Sequence, residues 1–231
     1  MGKNNIVKKI FLFIVGLSIV LFLLVQSINN ATYDLEFYRN YAQKNKISEE
    51  VGVEHKQVIL MYKSMQDQIK TGNNDYLKPF FNEKEIAHME DVHNLYSFAN
   101  TVKYLSLSFI ILFLLYFIFS RNKISKVDNI IIVRNSILIF IFLIFILAIF
   151  ISIDFSSAFV KFHKIFFDND LWLLDPKTDL MIRMLPEKYF LNISIRIFLS
   201  FISGVILSIV LLSFIIKFLR RDKCLNTQEV E

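Results

Sequence analysis

The amino-acid sequence predicts an all-α membrane protein, four transmembrane helices with a mostly helical extracytoplasmic cap, and three observations predict it. Hydrophobic residues make up 55% of the 231, with only five Gly and three Pro, which is more apolar surface than one soluble core of this length buries. Four stretches, Ile10 to Ile28, Tyr104 to Phe119, Asn129 to Ile153 and Ile197 to Ile216, approach or reach the roughly 17 to 25 apolar residues that cross about 30 Å of hydrocarbon. Lys and Arg crowd into alternate connections between those stretches, as the positive-inside rule requires.

The first stretch follows Lys3, Lys8 and Lys9, the basic front that a cleavable secretory signal also has. No A-x-A-like site comes after it, so it reads as an uncleaved anchor. The second span is the shortest and borrows apolar residues from the helix before it. The chain then divides into a tail and first span (1–28), an extracytoplasmic segment (29–103), the second span (104–119), a cytoplasmic link (120–128), the third span (129–153), a second extracytoplasmic segment (154–196), the fourth span (197–216) and a cytoplasmic tail (217–231).

The N-terminal tail, the region from Ser120 to Asn135 and the tail from Lys217 are short and dense in Lys and Arg, whereas most Asp and Glu lie in 29–103 and 154–196. Both termini are therefore expected in the cytoplasm of a bacterial cell, with 29–103 and 154–196 outside. The formal net charge of +5 reflects topology. No nucleic-acid partner is expected, since no basic patch gathers on one folded face. The single Cys224 falls in the cytoplasmic tail, which leaves no disulfide framework, cysteine zinc site or outward thiol nucleophile.

The segment 29–103 is too long for a structureless loop. Val58, Met61, Tyr62, Met65 and Ile69 recur at helical spacing, and Gly72 with Asn73 and Asn74 supplies the stop. Asn82 can cap the next helix while Glu85, three positions on, reaches back to it. That helix runs without Gly or Pro into the second span, with a bend expected near Asn100. In the second outer segment Phe155, Phe159, Phe162 and Phe166 share one face of a helix at the bilayer surface, opposite Lys161 and Lys164. Asp168 to Asp170 reads as a turn, Leu171 to Leu174 as a short extended run, Asp175-Pro176 as a second turn, and Thr178 or Asp179 as the cap of a short helix ending before Pro186. Ser200, Gly204 and Ser208 give the last span a flat stripe for close helix approach.

All four histidines, His55, His88, His93 and His163, fall in the outer segments. At about 100° per residue, His88 lies within the apolar stripe of Met89, Val92, Leu95 and Tyr96, whereas His93 falls on the polar side. His88 is thus expected to be buried and partnered, and His93 solvated. Asp91, three residues after His88, is placed to accept a proton from its ring and fix the tautomer. Such a pair has the form of a base with its orienter, and also of a core histidine satisfied by a carboxylate. His163 falls inside the apolar arc near Phe159, Phe166 and Phe167, so two half-buried imidazoles could divide general acid and base work. His88, Asp91 and His163 are also the set a metal would use, but no HExxH-like spacing accompanies them and no metal or cofactor is expected. Ser156 and Ser157 lack a nucleophile motif, and Asp175, Asp179 and Glu187 read as turn and cap residues.

The segments NEKEIAHMEDVHNLY (82–96) and KFHKIFFDNDLWLLDPKTDLMIRMLPEKYF (161–190) resemble the bacterial lipoprotein intramolecular transacylases, an integral membrane family. The resemblance covers the whole topology. It implies an acyltransferase that moves the sn-2 acyl chain of a diacylglyceryl-cysteine lipoprotein onto the cysteine α-amino group, giving the N-acylated lyso-form. It places the family's two functional histidines on His88 and His163; Asp91 and Glu85 are expected as orienting residues from their spacing on the same helix and not from the resemblance. Phe162, Phe166, Phe167 and Trp172 would line an acyl slot or, equally, form an interfacial belt. Diacylated lipoprotein and membrane lipid are the expected partners; the sequence does not fix an oligomeric state. The alternative is a non-enzymatic membrane factor that binds a lipid or envelope protein. A transporter fits less well, because no charged residue lies in mid-span.

Overall fold

The computed structural model describes residues 3–120 and 123–228, with side chains for 5–120 and 125–221. Part of the expected link at 120–128 and the Cys224 thiol lie outside them. Nine α-helices and one 3₁₀ turn account for most of the described chain: α1 Lys3–Thr32, α2 Leu35–Lys44, α3 Ile47–Val51, α4 His55–Thr71, the 3₁₀ turn Asn74–Tyr76, α5 Glu83–Phe119, α6 Lys123–Ile153, α7 Phe155–Phe166, α8 Leu180–Met184 and α9 Glu187–Gln228. No strand occurs among the described residues. Four helices, α1, α5, α6 and α9, are long and apolar enough to cross a bilayer. With 37 residues, α5 extends about 55 Å at 1.5 Å per residue, more than the hydrocarbon needs, and its polar first half, which includes His88, precedes the apolar stretch that starts at Tyr104.

The chain forms two compact units. The first comprises Met1–Gln26, Thr101–Phe150 and Leu199–Glu231. Its core is Leu12, Val15 and Val20 of α1, Phe113 of α5, Val133 and Ile137 of α6, and Phe201 and Val205 of α9. The opposite faces are as apolar as the core: Leu112 is 54% exposed, Phe142 63% and Leu207 59%. Water would penalise such a surface and lipid does not, while helical hydrogen bonding satisfies the backbone without solvent.

Close packing here depends on Gly16. A Cβ on it would stand 2.5 Å from the Ser136 Cβ and 3.0 Å from the Val133 carbonyl oxygen, so α1 and α6 approach backbone to backbone. At Gly204 a Cβ would meet only the Leu23 side chain, at 3.1 Å. The sequence-predicted stripe on α9 does carry a close approach to α1, but the tighter crossing lies at Gly16. Gly16→Ala is expected to cost about 1 to 3 kcal/mol through overpacking, read as a lower melting temperature in detergent. Gly204→Ala should melt within a degree or two of the parent, because Leu23 can move aside and alanine favours the helix by about 1 kcal/mol.

The second unit comprises Ser27–Asn100 and Ile151–Phe198. Its core holds Tyr38 and Tyr41 of α2, Val58, Met61, Tyr62 and Met65 of α4, Met89 of α5, Met181 and Met184 of α8, and Tyr189 of α9. Tyr38 stacks on Tyr62 with ring centroids 3.7 Å apart. The Tyr62 and Tyr189 hydroxyls meet at 2.7 Å, the Tyr38 hydroxyl donates to the Met184 carbonyl at 3.2 Å, and the Gln66 amide donates to the Thr32 carbonyl at 2.8 Å. These bonds let large aromatic rings be buried without orphaning most of their polar ends. Arg196 pairs with Asp34 and lies over the Phe37 ring.

Local chemistry sets the helix ends. Asp34 caps α2 by accepting the Phe37 N–H at 2.9 Å, and Asp154 caps α7 by accepting the Ser157 N–H at 3.0 Å. Gly72, at φ +73°, ends α4 in the left-handed conformation. At α5 the Glu85 N–H donates to the Asn82 side-chain oxygen at 3.0 Å and the Asn82 N–H donates to Glu85 at 2.9 Å, the reciprocal cap that the spacing predicts. Leu171 to Leu174 departs from expectation. Leu171 and Trp172 form a turn and Leu173 and Leu174 carry no regular structure, because the Asn169 side chain takes the Leu171 N–H at 3.0 Å and the Leu173 N–H bonds back to Asp170 at 3.1 Å.

Candidate active site

Within the second unit, α5 and α7 bring His88 and His163 together. Their ring centroids lie 6.3 Å apart, and the residues are 9% and 8% exposed. Each sits where helical periodicity predicts, on the buried side of its helix, with Lys161 and Lys164 left exposed.

His163 is fixed on several sides. Its Nδ1 lies 2.7 Å from the carbonyl oxygen of Phe159, one turn back. A carbonyl only accepts, so Nδ1 carries the proton and Nε2 keeps its lone pair in the neutral ring. Trp172 stacks on the imidazole at 4.8 Å and Phe159 meets it edge-on at 4.4 Å. Phe167 is shared by the pair, 5.4 Å from His88 and 5.7 Å from His163. Phe162 contacts His163 at 5.5 Å and Phe166 contacts Phe162 at 4.8 Å; both are half exposed, at 43% and 50%. The four aromatic residues singled out in the sequence thus surround or adjoin one imidazole.

This setting favours neutral rings. Burial, aided by the neighbouring His163 and partly offset by Asp91, holds the His88 pKa down at about 4. Burial also lowers that of His163, against the opposing effect of its bond to Phe159.

Asp91 does not make the bond predicted for it. Its carboxylate accepts the Asn169 amide at 2.9 Å and acts on His88 only as a nearby charge. His88 Nδ1 is consequently buried with no hydrogen-bond partner, a costly state for a polar atom that a bound molecule would relieve. Long-range folding, and not helical spacing, delivers the turn at Asn169 to Asp91.

Glu85 serves both segments. Besides the cap on α5, its second oxygen accepts the Met181 N–H at 2.6 Å, while the Asn82 amide donates to Asp179 at 2.9 Å. Lys84 donates to the Leu173 carbonyl at 2.6 Å. The start of α5 thereby grips the stretch that carries Trp172. Asp179 stands at the N-cap position of α8, as predicted, but its carboxylate takes the Asp175 N–H at 2.7 Å instead, and Glu85 takes over at α8.

The remaining candidates lie apart from the pair. His93 is partly exposed but also held: its Nδ1–H donates to the Ile69 carbonyl at 2.9 Å, with the ring against Gly72. Ser156 bonds to Glu187. His55 opens α4. The tyrosine cluster was not singled out as a functional group from the sequence, because its members are scattered over α2, α4 and α9. Among the described residues, no three His, Cys, Asp or Glu converge as a metal site would require.

Comparison with known proteins identifies the architecture. The family model described as lipoprotein intramolecular transacylase Lit matches residues 13–190. No curated protein matches the chain. The crystallised membrane integral lipoprotein intramolecular transacylase Lit of Bacillus cereus superposes with a TM-score of 0.80 at 21% identity, covering 94% of this chain and 99% of that one. Two variants of that protein with a histidine changed, to arginine and to alanine, superpose with TM-scores of 0.79 and 0.78 at 21% identity. They cover 95% and 94% of this chain, and 96% and 97% of theirs. With its family model matched over more than three quarters of its length, the chain belongs to the lipoprotein intramolecular transacylase family.

Proposed function

We propose that this protein transfers the sn-2 acyl chain of a diacylglyceryl-modified N-terminal cysteine to the α-amino group of that cysteine, with His88 and His163 as the catalytic pair. The observation that carries the proposal is two buried imidazoles 6.3 Å apart in an aromatic setting in a chain of this family.

The α-amino group, with a reference pKa of about 8, is mostly protonated at neutral pH and must lose a proton to attack the ester. His163 suits this step, because its Nδ1–H is engaged by Phe159 and Nε2 remains to accept. As the C–N bond forms, charge collects on the carbonyl oxygen, and His88, neutral at about pKa 4, can present an N–H there. The nitrogen sheds a second proton as the C–N bond forms; collapse breaks the C–O bond, and of the two protons lost by the amine one ends on the departing glycerol oxygen and the other leaves to water. Amine and ester belong to one molecule, so holding them together removes much of the entropic barrier. Phe162, Phe166, Phe167 and Trp172 would hold the acyl chains.

The orientation that fits has both termini in the cytoplasm and the histidines on the outer face, supported by the distribution of Lys and Arg. Two outcomes test these readings. Expression in a host that lacks the activity should convert diacylated lipoprotein N-termini to the N-acyl lyso-form, read by mass spectrometry; unchanged spectra would leave the non-enzymatic membrane factor. Cys224, the one cysteine in the sequence, should resist a membrane-impermeant maleimide in intact cells and react after permeabilisation.

A further inference from the structure

The first unit contains a cationic notch that the acyl-transfer reaction does not use. Lys8 of α1 donates to the Ser125 hydroxyl of α6 at 2.8 Å. The Tyr116 hydroxyl of α5 joins the same group, accepting from Asn129 at 3.2 Å and bonding to Ser125 and Lys8. Lys126 lies over the ring of Phe117, 4.9 Å from its centroid. Two ammonium groups therefore stand at consecutive residues of the last turn of α5. Among the described residues, neither pairs with a carboxylate, and Lys8 is held only by neutral hydroxyls.

Beside Lys8 lies a cavity of about 420 Å³ lined by Val7, Lys8, Phe11, Leu12 and Tyr116. Its walls are apolar apart from the ammonium and the hydroxyl, and it adjoins the edge of the first span. An apolar groove that ends in a cation with no carboxylate partner among the described residues has the complementarity of a phospholipid. Basic pockets between transmembrane helices on the cytoplasmic side bind acidic headgroups in this way. We propose that the notch binds an anionic phospholipid, its phosphate on Lys8 with Lys126 nearby and one acyl chain laid along Val7, Phe11 and Leu12.

Native mass spectrometry of the full-length protein, released from vesicles of phosphatidylcholine and phosphatidylglycerol with identical acyl chains, tests this without reading transfer activity. The unmodified protein should retain phosphatidylglycerol in preference by about fivefold for each engaged lysine. Lys8→Gln, which keeps a hydrogen-bond donor without the charge, should lose the Lys8 share, and Lys8→Arg should keep it. Lys9→Gln, at an exposed neighbour, should leave the preference intact. Equal retention of the two lipids, or equal losses in Lys8→Gln and Lys9→Gln, would overturn the site in favour of diffuse attraction by the basic tail.

Discussion

Conversion of diacylated lipoprotein by the His163→Ala protein is expected to fall by about a hundred- to ten-thousand-fold, the usual cost of removing a positioned general base. His88→Ala should fall within the same range, and the double variant should be little worse than either single one, because groups that act as a unit are not additive. The pH profile separates this from mere damage to packing. His163 has its pKa lowered by burial, so the acid limb of the rate should lie below about 6.5, the ordinary histidine value. Stability should follow the same direction. Both rings are held neutral in the folded state, so the unfolded chain binds more protons below about pH 6.5. Their contribution is thus intact above that value and declines as pH falls toward the His88 pKa of about 4. A His163→Ala protein that converts lipoprotein at the parental rate with an unchanged acid limb would remove this imidazole from the mechanism.

The histidine pair was legible because burial on a helix is periodic. His88 and His163 each lie among apolar residues at helical spacing, which suffices to say that both point inward and, with the family resemblance, that they converge. The cap at Asn82 and Glu85 was legible for the same reason, as a local pattern three residues long. What the sequence hid were bonds between segments far apart in the chain. Asp91 lies one helical turn from His88, yet its partner is Asn169, 78 positions away. His93 falls on the polar side of α5 but meets the Ile69 carbonyl in the last turn of α4. Gly16, unremarkable within an apolar helix, becomes a contact point only when α6 arrives with Ser136. Spacing within one helix reports which face is buried, not which side chain across the gap will claim a given polar atom.

Glu85 illustrates that point and leads to the second large effect. The residue is 1% exposed, and its two oxygens accept N–H groups from Asn82 and from Met181, so one carboxylate secures the first turns of both α5 and α8. Glu85→Ala strands both donors in a buried setting at about 1 to 3 kcal/mol each, and a total loss of about 2 to 5 kcal/mol is expected, read as melting temperature in detergent. Activity should fall further than stability alone accounts for. The chain between Phe167 and α8 carries Trp172 against His163, and Glu85 holds its far end. Conversion measured well below the melting temperature should therefore drop while the pH at half-maximal rate moves toward the ordinary histidine value, as Trp172 loosens and water reaches the ring. Glu85→Gln keeps one acceptor but turns an amide N–H₂ toward the other donor, so it should lie between the parent and Glu85→Ala in both measures. Asn82→Ala breaks the same cap from the other side and releases Asp179. Its effect combined with Glu85→Ala should be less than additive, since the two share one set of bonds. Full additivity of the two substitutions, with the acid limb unmoved in either, would mean that Glu85 props up the fold without positioning His163.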